Sequence, residues 1–380
     1  MNDILSRRKF LAAGMVVPAS AFAEYASLNV LTAKEGNTVA GVNAQGGLQY
    51  RILGKTGLKL STVGFGCMIT SDPSVIEKAV DLGINYFDTA RSYQHGNNER
   101  MVGAALGNKR KYVMLSSKSE AEDQNSALGH LETSLHELRT DYLDIWFLHS
   151  KDEPASLNHG LLEAVQVAKK QGKARFVGIS THSAETMVPA ALKAGVFDVV
   201  LITYNYTMGS RLDAVIDAAN QANVGVVAMK VMAHGKKDLK PRVAPAALKW
   251  VLKNPKVHTT IPSMVDTDQL EQNFSVMASS FTEADQSLLD TFLRELAPVY
   301  CRMCGSCHGL CPRGLPVANL LRYLTYAEGY GQFDLGREKF LALPKQLRNV
   351  RCGDCLNCTI QCPNGVQISR RLSHAQHVFA

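Results

Sequence analysis

The chain has 380 residues, 46% hydrophobic and 20% charged, with 41 Lys and Arg against 34 Asp and Glu. Those proportions exclude a disordered tail protein, a collagen-like repeat and a multi-span membrane protein, and the length suits a large α/β barrel with an appendage. The formal charge of +7 sits at the two ends, +2 in residues 1–23 and +6 in residues 297–380, so the body between them is at −1 and gives no support for a nucleic-acid partner.

Ser6-Arg7-Arg8-Lys9-Phe10-Leu11, a mildly apolar run and the closing Ala21-Phe22-Ala23 resemble a bacterial twin-arginine signal peptide. The run contains Gly14 and Pro18 and is too short to span a bilayer, so no transmembrane anchor is expected once the segment is removed. The expectation is a periplasmic or otherwise exported protein, moved in its folded state with cofactor loaded. Residues 24–47, rich in Ala, Gly, Asn and Thr, read as a linker.

From Leu48 onward, apolar and β-branched runs recur at 62–67, 85–89, 112–116, 143–148, 174–179, 198–204, 225–230 and 258–262. Helical periodicity fills the gaps, as in 126–138 with Leu128, Leu131, Leu135 and Leu138, and in 161–170. Eight near-continuous apolar strands alternating with helices predict a parallel sheet closed into a (β/α)8 TIM barrel over residues 48–296. Polar residues gather just after the strands, at the face where such barrels place their sites. Residues 233–243, with Gly235, Lys236, Lys237 and Arg242, are expected near the mouth.

Tyr50-Arg51-Ile52-Leu53-Gly54-Lys55-Thr56-Gly57-Leu58-Lys59-Leu60-Ser61, followed by Gly64-Phe65-Gly66, resembles the N-terminal hairpin and first strand of an aldo-keto reductase. Asn85-Tyr86-Phe87-Asp88-Thr89-Ala90, Asp141-Tyr142-Leu143-Asp144 and Gln269-Leu270-Glu271-Gln272-Asn273 continue the resemblance in order. It implies hydride transfer between a nicotinamide cofactor and a small carbonyl or alcohol substrate, with a catalytic tetrad of Asp88, Tyr93, Lys118 and His149. Reduction of a carbonyl leaves an alkoxide that needs a proton donor, the role implied for Tyr93. Tyrosine is a weak acid, so Lys118 is expected to lower its pKa, Asp88 to hold the lysine and His149 to orient the carbonyl oxygen.

The same resemblance implies a cofactor pocket. Ser180 and Thr181 stand where relatives place Ser-Asn against the nicotinamide carboxamide. Leu201 replaces the family glutamine, Met229 replaces the stacking aromatic, and Lys230 beside it is new and faces cofactor or substrate. At the phosphate end Ser263 and Gln269 stand where NADP-preferring members carry Lys and Arg, with Asp266 and Asp268 nearby, so NAD is favoured over NADP. The helix start from Gln269 to Asn273 is expected to offer backbone N–H groups to a phosphate.

Eight of the nine cysteines lie after residue 300. Cys301-x2-Cys304-x2-Cys307-x3-Cys311-Pro312 recurs as Cys352-x2-Cys355-x2-Cys358-x3-Cys362-Pro363, the ferredoxin-type spacing for two 4Fe–4S clusters. In that arrangement the cysteine before proline serves the other cluster. Cys301, Cys304, Cys307 and Cys362 are therefore assigned to one cluster, and Cys352, Cys355, Cys358 and Cys311 to the second. A disulfide framework does not explain two identical quartets each ending Cys-Pro, and zinc sites do not call for a C-x2-C-x2-C run. Residues 317–326 and 336–343 read as helices, so 297–380 is expected to be a small, mainly α-helical dicluster ferredoxin-like domain. Two readings remain open. One is an iron–sulfur oxidoreductase whose clusters exchange single electrons with a redox protein partner; the other is an electron-transfer protein whose barrel is a scaffold or docking module without nicotinamide turnover.

Overall fold

The computed structural model describes residues 48–233, 242–355 and 358–380. The expected signal segment 1–23, the linker 24–47 and most of the 233–243 mouth segment, including Gly235, Lys236 and Lys237, lie outside the described residues.

An antiparallel hairpin of β1 (Tyr50–Ile52) and β2 (Lys59–Ser61) comes first. Its loop puts Leu53, Leu58 and Leu60 into the interior of the barrel, packed with Ile145, Phe147, Val199, Leu201 and Val227. The Arg51 guanidinium fastens the hairpin by donating to the carbonyls of Leu252, Asn254 and Val257. Eight parallel strands then follow: β3 (Phe65–Gly66), β4 (Tyr86–Asp88), β5 (Met114–Ser119), β6 (Leu143–Leu148), β7 (Ala174–Thr181), β8 (Val199–Thr203), β9 (Gly225–Met229) and β10 (Thr259–Thr260). They pair in sequence order, and bridges from Val63 to Thr260 and from Gly66 to Ser263 join the first of them to the last. The expected (β/α)8 barrel is therefore present, and its strands coincide with the apolar runs of the sequence.

The helices are α1 (Pro73–Asp81), α2 (Asn97–Leu106), α3 (Gln124–Glu137), α4 (His159–Lys170), α5 (Ala184–Ala194), α6 (Asp213–Gln221), α7 (Val243–Leu252), α8 (Thr267–Ser275) and α9 (Glu283–Leu296). Local chemistry starts several of them. Asp72, Asp123, Asn158 and Asp266 accept backbone N–H groups at the first turns of α1, α3, α4 and α8, and Thr282 with Asp285 forms a capping box on α9.

Beyond α9 the chain is helical again, through α10 (Val317–Leu324), a π-turn (Thr325–Gly329), α11 (Phe333–Leu341), the short α12 (Lys345–Arg348) and α13 (Ile368–Phe379). These elements bury their own core around Leu320, Leu324, Phe340, Leu372 and Phe379. The described residues, from 48 onward, belong to one compact unit, and α10 and α11 lie against the C-terminal ends of the barrel strands. Among the described residues no helix is long and apolar enough to cross a membrane.

Gly178 on β7 shows how tightly the barrel is closed. A Cβ there would sit 2.4 Å from the Val199 carbonyl oxygen and 2.6 Å from the Phe147 ring, so no side chain fits without moving backbone. Gly178→Ala is expected to lower stability by about 1–3 kcal/mol. The expected signature is a lower urea midpoint with an unchanged slope.

Candidate active site

The strands deliver the four tetrad residues to one place. Asp88 ends β4; its Oδ1 accepts from Ser116 Oγ at 2.7 Å and its Oδ2 from Lys118 Nζ at 2.5 Å. Lys118 lies within β5 and also donates to the Thr89 carbonyl at 2.6 Å and to Tyr93 Oη at 3.3 Å. An ammonium with three fixed partners has one position. Tyr93 opens the turn after β4, where Gln94 and His95 both adopt left-handed backbone, and Gln94 Nε2 anchors the turn on the Thr70 carbonyl at 2.9 Å. His149 follows β6, and the next residue, Ser150, is also left-handed and donates its N–H to Ser180 Oγ at 3.0 Å. The Tyr93 and His149 rings meet edge to face at 5.8 Å between centroids. Left-handed non-glycine residues beside two tetrad members are the kind of local strain that collects at working sites.

The electrostatics depart from the sequence expectation at Tyr93. Burial, with Asp88 and Glu120 adding to it, pushes the phenol well above its ordinary value, and the nearby Lys118 does not bring it below. Tyr93 therefore keeps its proton at neutral pH and is placed to donate it. Burial also pushes Asp88 up, against the opposing pull of Lys118 and Ser116. Desolvation takes His149 down to about 3, so its imidazole is neutral, with Nδ1 buried, unmatched by a hydrogen bond and 3.5 Å from Glu120.

Tyr93 and His149 form part of the floor of a cleft of about 520 Å³, and the tail supplies its roof. Arg322 on α10 donates to Asp152 Oδ2 at 2.7 Å and lies 2.6 Å from His182 Nδ1, which also faces Asp152 Oδ2 at 3.1 Å. Asp152 is further held by the His182 N–H at 2.7 Å and Thr181 Oγ1 at 3.2 Å. Burial pushes the Asp152 carboxyl up, but His182 and Arg322 outweigh it and hold it well below the usual range. Lys339 on α11 donates to Glu120 Oε2 at 2.7 Å; burial opposes ionisation of Glu120, yet His149, Lys339 and Ser92 bring it down to about 2. Lys230, just past β9, extends its ammonium towards the Tyr326 and Tyr330 rings, 4.8 and 5.2 Å from their centroids. Sequence reasoning missed Glu120, Asp152, Arg322, Tyr326, Tyr330 and Lys339. Two signals were available: Glu120 and Asp152 follow strand ends, and Arg322, Tyr326 and Tyr330 recur every four residues.

The expected cofactor residues divide. Met229, Lys230 and Ser263 line a second, narrower cavity of about 90 Å³ together with Asp88, Tyr93 and Tyr330. Asn273 is buried, and its Nδ2 has no hydrogen-bond partner among the described residues. Ser180 and Thr181 are buried at the end of β7, where Thr181 is occupied with Asp152 and with the Ser183 N–H at 2.9 Å. It thus bonds the same carboxylate that Arg322 of the tail meets. The start of α8 is also engaged, since Gln269 N–H donates to Asp266 Oδ1 at 2.7 Å. Leu201 is fully buried in the barrel interior.

All nine cysteines are described and none is in a disulfide. Cys301, Cys304, Cys307 and Cys362 line one small cavity, and the thiols that act on Cys301 are those three partners. The thiols that act on Cys352 are Cys311, Cys355 and Cys358. Cys301 accepts from the Met303 N–H and Cys304 from Asn364 Nδ2, both at 3.4 Å. Among the described residues no three His, Cys, Asp or Glu side chains converge as a site for a metal ion.

Residues 71–241 match the model of the aldo/keto reductase family. An uncharacterized oxidoreductase of Bacillus subtilis, YqkF, is 29% identical over 171 residues, which is 40% of this chain and 56% of that protein. The chain thus spans little more than half of that relative. L-galactose dehydrogenase of Arabidopsis thaliana is 28% identical over 306 residues, 66% of this chain and 95% of the relative. Among solved structures, an aldo-keto reductase of Bacillus halodurans in its holo form superposes with a TM-score of 0.57 at 23% identity, covering 64% of this chain and 96% of its own. One from Klebsiella pneumoniae in complex with NADP and acetate superposes with a TM-score of 0.56, also at 23% identity, covering 64% and 94%.

The Lys339–Glu120 bridge gives a pH test. The folded-state pKa of Glu120, about 2, lies below the ordinary carboxylate value, so its stabilisation is fully present above about pH 4.5 and is lost as pH falls towards 2. Glu120→Gln is expected to lower the urea midpoint at pH 7. The difference from wild type should shrink progressively below about pH 4.5, and a gap that stays constant to pH 2 would contradict the assignment.

Proposed function

We propose that this chain, which carries an aldo/keto reductase domain, is an iron–sulfur oxidoreductase that interconverts a small carbonyl and its alcohol at Tyr93. The observation that carries the reading is Tyr93, which lines an accessible cleft beside His149 and is backed by the buried Lys118, itself paired with Asp88. A bound nicotinamide dinucleotide would supply the hydride. Ser180, Met229, Ser263 and Asn273 are the residues that would hold it, and the unmet Asn273 donor is the feature that fits it best. In the reductive direction Tyr93 donates its proton to the carbonyl oxygen. Neutral His149 fixes that oxygen in place, and Lys118 supports the phenolate left behind. In the oxidative direction Tyr93 is the base.

NAD is the preferred dinucleotide in this reading. The Asp266 carboxylate caps α8 and Ser263 and Gln269 are uncharged, so these residues offer a 2′-phosphate repulsion in place of the Lys and Arg of NADP-preferring members. The tail would hold two 4Fe–4S clusters, one on Cys301, Cys304, Cys307 and Cys362 and one on Cys352, Cys355, Cys358 and Cys311. A cubane spreads four thiolates around a body of eight atoms, unlike the convergence a single ion needs, and N–H groups on its sulfurs favour the bound form. Such clusters supply single-electron transfer, for which a redox protein is the partner, and residues 1–23 would address the loaded protein for export. Leu201 favours the second reading, a barrel that serves as scaffold or docking module, because a leucine cannot hydrogen-bond a carboxamide.

Two measurements on anaerobically purified protein separate these readings. Tyr93→Phe is expected to lower carbonyl reduction with NADH by about 10²–10⁴-fold; full retained activity removes Tyr93 as the acid, and no NADH binding at millimolar concentration favours the scaffold. Iron content should be about eight per chain, falling to about four in Cys301→Ser and in Cys362→Ser alike. A Cys362→Ser protein that loses a different cluster from Cys301→Ser would overturn the pairing.

A further inference from the structure

The cleft holds more cationic side chains than it needs for its own carboxylates. Lys339 is matched by Glu120 at 2.7 Å, Arg322 by Asp152 at 2.7 Å, and the Lys151 ammonium is seated on the Ala121 carbonyl at 2.9 Å. His149 and His182 are neutral, held by burial at about 3 and about 4. Lys230 is different. Among the described residues its ammonium has neither a hydrogen bond nor an ion pair, only the faces of Tyr326 and Tyr330. Burial and Arg322 lower its pKa to about 7, with the Asp152 carboxylate opposing them.

Its position is built, not incidental. Lys230 has left-handed backbone (φ 55°), and its carbonyl accepts from the fully buried Asn205 Nδ2 at 3.0 Å and from the Ala233 N–H at 3.0 Å. The residue lines both the large cleft and the narrow cavity, beside Tyr93 in each. Its ammonium lies on the roof side, against the tail tyrosines, and a group paired with it would share the cleft with the Tyr93 phenol.

We propose that Lys230 recognises the carboxylate of the substrate, which is a small monoanionic oxo acid or hydroxy acid whose reacting carbonyl or hydroxyl faces Tyr93 and His149. The inference rests on the carbonyl–alcohol chemistry proposed above and names its substrate class. A carboxylate supplies the single negative charge that Lys230 lacks. A phosphate dianion suits the cleft less well, because Glu120 and Asp152 are already ionised around it. Charge-assisted hydrogen bonding to a partly desolvated ammonium gives recognition of about 10–100-fold over a neutral isostere.

The probe pair is oxamate and its neutral counterpart oxamide, titrated calorimetrically into the full-length holoprotein with and without NADH. Oxamate is expected to bind about 10–100-fold more tightly than oxamide, with the preference falling to about one in Lys230→Gln and largely retained in Lys230→Arg. In parallel, kcat/KM should favour 2-oxobutanoate over its methyl ester, and Lys230→Gln should remove that preference. No oxamate preference in wild type, a preference unmoved in Lys230→Gln, or inorganic phosphate binding more tightly than oxamate would each overturn the proposal. Selective oxamate binding without turnover of any carbonyl would sink the reductase reading, and the substrate class with it, while keeping Lys230 as a carboxylate-binding group. Turnover of neutral aldehydes without oxamate preference would do the reverse.

Discussion

The Lys118 ammonium sits inside the barrel with 1% of the residue exposed, and its neighbours are arranged around it. A buried cation is tolerable only when paired and hydrogen-bonded, and removing one partner of such a pair costs about 3–5 kcal/mol. Asp88 and the Thr89 carbonyl meet that demand from the end of β4, while Ser116 beneath Lys118 holds the other oxygen of Asp88. The parallel register of β4 and β5 sets Asp88 opposite Ser116, which is what brings the two charges together. Once Lys118 is fixed, the distance to Tyr93 is fixed with it, and the turn that carries Tyr93 is held by Gln94 on the Thr70 carbonyl. Catalytic geometry here is a consequence of charge burial.

The same rule joins the tail to the barrel. The residues following β5 and β6 present Glu120 and Asp152, two carboxylates that the barrel itself meets, among the described residues, with hydroxyl, N–H and imidazole groups but with no lysine or arginine. The tail meets them with Lys339 and Arg322. Part of the positive charge concentrated in residues 297–380 therefore has a structural assignment on the barrel, and Arg371 has another on Glu328 within the tail. The roof over the cleft is held at its edges by these pairs and by the Asn205 amide, which donates both to the Lys230 carbonyl and to Tyr300 Oη, one residue before Cys301.

Much of the barrel was legible because eight apolar runs are long enough to be seen individually. The strand that differed most is β5, read at 112–116 and found at Met114–Ser119. Ser116-Ser117-Lys118-Ser119 has no strand-like hydrophobicity; it is buried because Asp88, Glu99 and His130 satisfy its polar groups. The tetrad was legible from motifs, one residue at a time. The roof was not, since Arg322 meets His182 across 140 residues and Lys339 meets Glu120 across 219, separations at which no local pattern carries information. The partners of Thr181 and of the Gln269 amide were hidden for a related reason. Sequence shows that a group can bond a ligand, and only the fold shows that Asp152 and Asp266 already hold them.

Met229 leaves the barrel without the aromatic that the family resemblance places on that strand, yet the cleft does not lack aromatic surface. Tyr326 lies within the π-turn Thr325–Gly329 and Tyr330 directly follows it, sharing a cavity with Met229 and Tyr93. π-turns are uncommon and gather at functional sites, because the inserted residue re-aims the side chains around it. Here the re-aimed side chains are two rings facing Lys230. A ring face holds an ammonium by roughly 0.5–2 kcal/mol, less than the cost of burying that charge without an anion. The tail thus shelters the cation without neutralising it, which separates Lys230 from Lys118: one lysine is consumed by the fold and the other remains available to a ligand.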